Sequence, residues 1–308
     1  LPQDVQALLF AVLTDAQIAE VTEQWELDFS YAIVGCARFR GNIIVQRGTF
    51  AAVFRIVPFV VPRLEDLSLP VDVSRLCTLT RGLILVTGPT GSGKSTTMAA
   101  MIRRINESRA VNVITIEDPI EFLHAHSKAT VRQREVGCDT HSFSAALRQS
   151  LRHDPDVIMV GEMRDLESIS IALTAAETGH LVLSTLHTQT APLSIARIVD
   201  SFPADSKQQV RQQLSGSLRA IIAQQLVPTT DGHRAVAIEY MIDTPPVRTM
   251  IRESREHQLY STMQTSRAQG MQTMDQALAE LFKQGRIQPD VMAQYCIDLK
   301  EIQRLAAF

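Results

Sequence analysis

One eight-residue stretch, Gly88-Pro89-Thr90-Gly91-Ser92-Gly93-Lys94-Ser95, constrains this chain more than any other. It fits the pattern G-x-x-x-x-G-K-[ST]. The apolar run Gly82-Leu-Ile-Leu-Val-Thr-Gly88 precedes it, and a helical pattern runs from Lys94 to about Asn106. A strand, a glycine-rich turn and a helix in this order form a cradle for phosphate. The glycines let backbone N–H groups turn inward, and the helix adds the positive end of its dipole. Lys94 is expected at the β- and γ-phosphates and the Ser95 hydroxyl at Mg²⁺, with Thr96 next in the same first turn.

The runs that follow repeat the grammar of strand and helix. Val111-Asn-Val-Ile-Thr-Ile116, Asp156-Val-Ile-Met-Val160 and Leu181 to Thr185 read as further strands. Wholly apolar strands separated by helices predict a parallel sheet covered on both faces. From about residue 205 the pattern reads as helical, interrupted by a strand at Ala235–Met241. Gly285 and Pro289 punctuate the last two helices.

The first 62 residues have a different character. Positions 3–24 read as one helix, with Val5, Leu8, Leu9, Val12 and Leu13 at helical spacing. Leu27–Ile33, Ala37–Ile43 and Phe50–Val57 read as half-buried antiparallel strands. Pro58 and Pro62 flank a linker. The expected organisation is a small α+β domain over 1–62 and a larger α/β domain over 63–308.

Composition narrows the function classes. A chain of 308 residues, 45% apolar and 20% charged, builds packed cores. The net charge of −3 gives no general surface for a polyanion, which argues against a nucleic-acid translocase or recombinase. Cys36, Cys77, Cys138 and Cys296 are far apart and form no C-x-x-C pair, which fits a reducing cytoplasm and no zinc site. No apolar run approaches the ~18 residues of a membrane span. A nucleotide-binding regulator that hydrolyses little stays open at this point.

Hydrolysis needs one carboxylate to activate water and another for the metal, directly or through water. Thr115-Ile-Glu-Asp-Pro-Ile-Glu121 and Asp154-Pro-Asp-Val-Ile-Met-Val-Gly-Glu-Met-Arg-Asp165 offer them, each after an apolar strand. Ligands of open parallel sheets sit beyond the carboxyl ends of strands, where Glu117, Asp118, Glu121 and Glu162 fall. A third stretch, Gly179-His-Leu-Val-Leu-Ser-Thr-Leu-His-Thr188, places a histidine at each end of an apolar strand. Each imidazole either caps a strand end or meets something charged beside the sheet.

With the phosphate loop, these three stretches resemble the four signature boxes of the secretion-type traffic ATPases, in the same order. ARFR, LEDL, ALRQSLRHDPD and LTAAETGHL extend the likeness through most of the chain, most closely to the PilT-type retraction ATPases of type IV pili. The resemblance implies a RecA-like P-loop domain after a PAS-like N-terminal domain, a homohexamer, and an ATP/ADP site with Mg²⁺. It implies Glu121 as the catalytic carboxylate, Glu162 at the metal, and His180 and His187 beside the nucleotide. It further implies that Arg38, Arg40 or Arg55 of the N-terminal sheet reaches nucleotide, although each alone reads as part of a solvated sheet face. A cytoplasmic motor at the inner face of the membrane, acting on a pilus platform protein, follows from the same likeness. Family members usually carry residues before the position of Leu1, so the N-terminal domain is expected to be incomplete. Assembly and type II secretion ATPases are the nearest alternative, but their extension-type members carry two C-x-x-C pairs.

Pro246-Val-Arg-Thr-Met-Ile-Arg-Glu253 resembles the retraction motif AIRNLIRE, agreeing at Arg248, Ile251, Arg252 and Glu253. Helical spacing puts Val247, Met250 and Ile251 on one face and Arg248 and Arg252 on another. The apolar face, Met250 and Ile251 included, is expected to couple ATPase motion to the retraction machinery, as are the arginines. An ordinary amphipathic helix is the plainer alternative.

Overall fold

The computed structural model describes residues 1–33, 37–57, 60–69 and 71–306, so Cys36 and Pro58 lie outside it. The chain divides into two units: Leu1–Val61 with Pro119–Leu123, and Pro62–Asp118 with His124–Phe308.

In the first unit, two helices replace the single one expected over 3–24: α1 (Pro2–Phe10) and α2 (Asp15–Gln24). Thr14 is the reason for the break. Its side chain accepts from the Gln17 N–H while the Gln17 side chain accepts from the Thr14 N–H, a reciprocal cap that starts a new helix. Three antiparallel strands follow: β1 (Glu26–Ile33), β2 (Ala37–Gln46) and β3 (Thr49–Val57). Leu27, Phe29 and Ile43 are buried with Leu9 and Val21 of the helices. Alternation along the strands then puts Arg38, Arg40 and Arg55 together on the opposite face, with Arg40 paired directly across from Arg55. Like charges directly opposed repel, so this face favours an anionic neighbour.

The second unit is built on β4 (Gly82–Thr87), α3 (Lys94–Ser108), β5 (Asn112–Glu117), β6 (Thr130–Glu135), α4 (Phe143–Ser150), β7 (Val157–Val160), α5 (Leu166–Glu177), β8 (Leu181–Leu186), α6 (Ala191–Asp200), α7 (Lys207–Ser217), β9 (Leu218–Pro228) and β10 (Arg234–Ile242). The helices α8 (Pro245–Arg252), α9 (Leu259–Thr265), α10 (Met274–Lys283), α11 (Pro289–Tyr295) and α12 (Leu299–Ala306) complete it. The seven-stranded sheet has the order β10-β9-β4-β8-β7-β5-β6, with β9–β10 as its antiparallel pair. All six residues of β4 are buried. Leu83 and Leu85 enter the core on the side of α4–α7, and Ile84 and Val86 the core under α3.

Two strands escaped the sequence reading. The edge strand β6 carries charged and polar residues and has no apolar run. For β9, Ala220–Ala223 is too short a run to separate strand from buried helix, and its pairing with β4 and β10 decides the matter.

Glu239 of β10 is wholly inaccessible, and among the described residues no cationic side chain pairs with it. Burial pushes its carboxyl up from 4.5 to about 7, with nearby Asp275 adding to the shift, while hydrogen bonds from the Ala191 and Met274 N–H groups pull it down. The folded state therefore holds this proton more tightly than the unfolded chain. Its contribution to stability is full below pH 4.5 and is lost as pH rises through about 7. The shift corresponds to on the order of 3 kcal/mol. Denaturant titrations across that window are expected to show a shallower decline for Glu239→Gln than for the wild type, and parallel declines would contradict this assignment.

Candidate active site

Thr87 ends β4 and the chain turns sharply at Gly88, where φ is 139°. A Cβ there would lie 2.2 Å from the Gln224 carbonyl oxygen of β9 and 2.7 Å from Ser92 Oγ, so only glycine fits. Gly93, left-handed at φ 91°, starts α3, and no side chain caps this helix end. Its first N–H groups are therefore left for a ligand. Lys94 is 8% exposed, and its Nζ donates to the carbonyl oxygens of Gly88 (2.8 Å) and Pro89 (2.9 Å). Pro89, Thr90 and Gly91 form the rim, while Ser95 and Thr96 are half-buried in the first helical turn. Thr87 Oγ1, Ser92 Oγ and Gln224 Oε1 are buried without hydrogen-bond partners. Orphaned polar atoms of this kind suit a loop that adjusts when phosphate arrives. Gln224 also donates through Nε2 to Thr97 Oγ1 of α3 at 2.9 Å, tying β9 to the helix.

The strand order brings further groups to this sheet edge. β8 lies beside β4, β7 beside β8 and β5 beside β7, all parallel, so His187, Glu162 and Asp118 follow the phosphate loop in sequence across the edge. Neighbouring strands are about 4.8 Å apart, so Glu162 lies two strands from the loop. Hydrogen bonds to both neighbouring strands hold the turn after β7: the Gly161 N–H donates to Ile116 O, and Thr185 Oγ1 donates to Gly161 O. Glu162 then accepts from Arg164 Nε at 2.8 Å and sits 3.2 Å from His187 Nε2. Arg164 also approaches Asp118, at 3.9 Å. The acids differ in burial. Glu117 is buried and accepts from Thr115 Oγ1 (2.6 Å) and Gln133 Nε2 (3.0 Å), which fits a structural acid. Glu121 is exposed, in the Pro119–Leu123 segment that groups with the first unit.

His180 requires a correction. It precedes β8, level with the start of β4, at the opposite sheet edge from the phosphate loop. The length of β8 separates it from His187 by on the order of 20 Å. Its Nδ1 is 3.0 Å from the Ala175 carbonyl near the end of α5, so the imidazole finishes a helix and does not face the nucleotide loop of its own chain. The two histidines that look equivalent in sequence thus lie at opposite ends of the strand.

The apolar face of α8 also needs correction. Ile251 is 1% exposed, Val247 is buried and Met250 packs partly against the main core. These residues hold the helix down and are not a coupling surface. The exposed face carries Arg248, which donates to Asp243 at 2.6 Å, Arg252, which donates to Thr249 Oγ1, and Glu253, which pairs with Arg255. Asp243 also accepts from Arg219 at the start of β9.

Arg164, Gln224 and Glu239 escaped the sequence reading. Arg164 lies inside the acidic stretch Asp154–Asp165. Gln224 and Glu239 each interrupt an apolar run, a signal that carries weight once the run is known to be a strand.

A phosphate loop at the carboxyl edge of a largely parallel sheet, with acids and a histidine on the adjoining strand ends, defines a P-loop ATPase core. Residues 67–295 match the Type II/IV secretion system protein family, and the chain belongs to that family. It is 50% identical over 285 residues to the type IV pilus retraction ATPase PilT of Pseudomonas aeruginosa, covering 92% of this chain and 83% of that one. Identity to the twitching motility protein of Neisseria gonorrhoeae is also 50%, over 289 residues, covering 94% of this chain and 77% of that one. A crystal structure of the pilus retraction motor PilT with bound ADP superimposes with a TM-score of 0.93 at 49% identity, covering 98% of this chain and 86% of that one.

Proposed function

We propose that this chain is an ATP-hydrolysing motor that powers retraction of type IV pili, working as a homohexamer with Mg²⁺. One observation carries the reading. The loop of Lys94, His187 and Glu162 stand on three neighbouring strand ends, in a chain half identical to a retraction ATPase over nearly its whole length.

Backbone N–H groups of the loop and the first turn of α3 would hold the phosphates, with the Lys94 ammonium against the β- and γ-oxygens. Mg²⁺ takes few protein ligands and relies on phosphate oxygens and water. Ser95 and Glu162 are the residues we assign to it, Glu162 through water unless its bond to Arg164 opens. Glu121 takes the proton of the attacking water. Arg38, Arg40 and Arg55, crowded on one sheet face, supply positive charge to the γ-phosphate of a neighbouring subunit.

Among the described residues no helix is long and apolar enough to cross a membrane. The motor would act from the cytoplasm at the inner face of the membrane, on a platform protein. The exposed arginines of α8 are the contact we assign to that output. Arg248→Ala is expected to abolish twitching and leave surface pili in place, while ATP turnover stays within about twofold, since a surface ion pair contributes little to stability. Mutant cells that twitch like the wild type would remove α8 from the coupling path. Light scattering of the purified chain at micromolar concentration with Mg·ATP is expected to give a six-subunit mass, and a fully active monomer would exclude the ring.

A further inference from the structure

We infer that Glu239 is a positioning residue for ATP hydrolysis, acting through the loop that carries His187; the inference rests on the ATPase reading above. Four observations lead there. First, Glu239 sits in β10 with no exposed surface, the one charged residue in the run Ala235–Met241. A buried carboxyl in an apolar strand is costly and persists only with compensating partners. Second, those partners are two helix starts. Oε1 accepts from the Ala191 N–H, the first residue of α6, at 2.6 Å, and Oε2 accepts from the Met274 N–H, the first of α10, at 3.3 Å. One side chain thus closes two of the backbone donors that helices leave open, at the positive end of both dipoles.

Third, α6 starts only four residues after His187. The intervening turn is laced to the helix it precedes: Thr190 Oγ1 accepts from the Leu193 N–H, and Thr188 Oγ1 is 2.6 Å from Ser194 Oγ. His187 is therefore suspended between β8 on one side and an α6 start pinned to Glu239 on the other. Fourth, His187 in turn faces Glu162 at 3.2 Å, on a different strand. A shift of α6 moves the imidazole relative to a carboxylate that the sheet holds fixed. Glu239 touches no reacting atom, and its role is to fix the distance between His187 and Glu162. Lys94 and the phosphate loop belong to other elements, so nucleotide affinity is not its business.

The test severs the contact in two ways. Glu239→Ala removes both acceptors. Ala191→Pro removes the donor of α6 and sets a ring carbon against the carboxylate, at a first-turn position whose backbone tolerates proline, after Thr190, whose φ of −133° and ψ of 157° already suit a residue before proline. Each full-length variant is assayed for Mg·ATP turnover, alone and combined with His187→Ala. We expect kcat to fall about tenfold with KM for ATP held within about twofold, as for a catalytic-site misplacement caused by a mutation remote from the chemistry. In the His187→Ala background, which is itself slowed, either change is expected to cost less than about twofold more, because residues acting in one chain of contacts are not additive.

Three outcomes would overturn the inference: unchanged kcat in Ala191→Pro, independent multiplication of the two losses, or a His187→Ala enzyme as fast as the wild type. Should either variant fail to fold, Glu239→Gln takes its place and is held to the same outcomes, since it keeps the shape of the side chain and turns one of its two acceptors into a donor. Failure of the ATPase reading is distinguished by the parent enzyme, which would then show no Mg·ATP turnover for Lys94→Ala to abolish.

Discussion

Lys94→Ala is expected to leave a folded protein with no measurable phosphate release and greatly weakened ATP binding. The side chain is nearly inaccessible, and its ammonium donates to the carbonyl oxygens of Gly88 and Pro89. It is therefore already held over the loop on which phosphate would sit. Moving it from two carbonyls to two phosphate oxygens exchanges neutral acceptors for anionic ones. Hydrogen bonds to charged groups are worth about 1.5–3 kcal/mol each. Losing two of them costs affinity by roughly 10²- to 10⁴-fold at 1.4 kcal/mol per decade. Alanine keeps the helix, since Thr97 of α3 still bonds Gln224 of β9. Titration with a fluorescent ATP analogue and a phosphate-release assay measure the two effects separately. Near-wild-type release by a correctly folded variant would sink the assignment of the loop as the nucleotide site.

Glu121→Gln is expected to separate binding from chemistry. The amide keeps the shape and loses the proton acceptor, so ATP binds and persists while hydrolysis drops by roughly 10²- to 10⁴-fold, the scale of a lost general base. Glu162→Gln is expected to behave differently. The carboxylate faces both Arg164 and His187, so neutralising it frees two groups and weakens the metal site we propose. Its signature is a raised Mg²⁺ requirement as well as slower turnover. Normal hydrolysis by Glu121→Gln with an inactive Glu162→Gln would exchange the two roles. The acids also differ in how the fold carries them. Glu162 follows a central strand and is braced from β5 and β8, whereas Glu121 lies in a short segment that groups with the first unit.

Local chemistry was legible wherever a function needs particular residue types at close spacing. The phosphate loop is such a case. A Cβ at Gly88 would fall 2.2 Å from the Gln224 carbonyl oxygen of β9, so only glycine fits there, and only a strand–turn–helix aims a row of N–H groups inward. The apolar strands were legible for a similar reason. A strand buried on both faces has no polar positions, and β4, β7 and β8 are buried along their whole length. Their parallel arrangement follows from the same grammar of alternating runs.

Sequence left open whatever depends on a partner distant along the chain. The polar edge strand β6 and the short apolar run of β9 become strands by pairing with neighbours. Thr14 splits the first helix because a local cap outweighs a continuous apolar pattern. The clearest separation is between the two histidines of one decapeptide. Both flank the same strand, and only the parallel register of β8 with β4 puts His187 at the phosphate edge and His180 at the far one. The apolar face of α8 is parallel in kind: helical spacing identifies the face, but packing against the core decides that Ile251 is structural and Arg248 is outward. Sequence by itself determined the glycine-rich turn between β4 and α3 and the class of fold, because both rest on short-range backbone geometry and burial pattern. Tertiary structure alone decided which polar groups meet, because strand order and register, set by packing over the whole sheet, bring together residues that no local spacing relates.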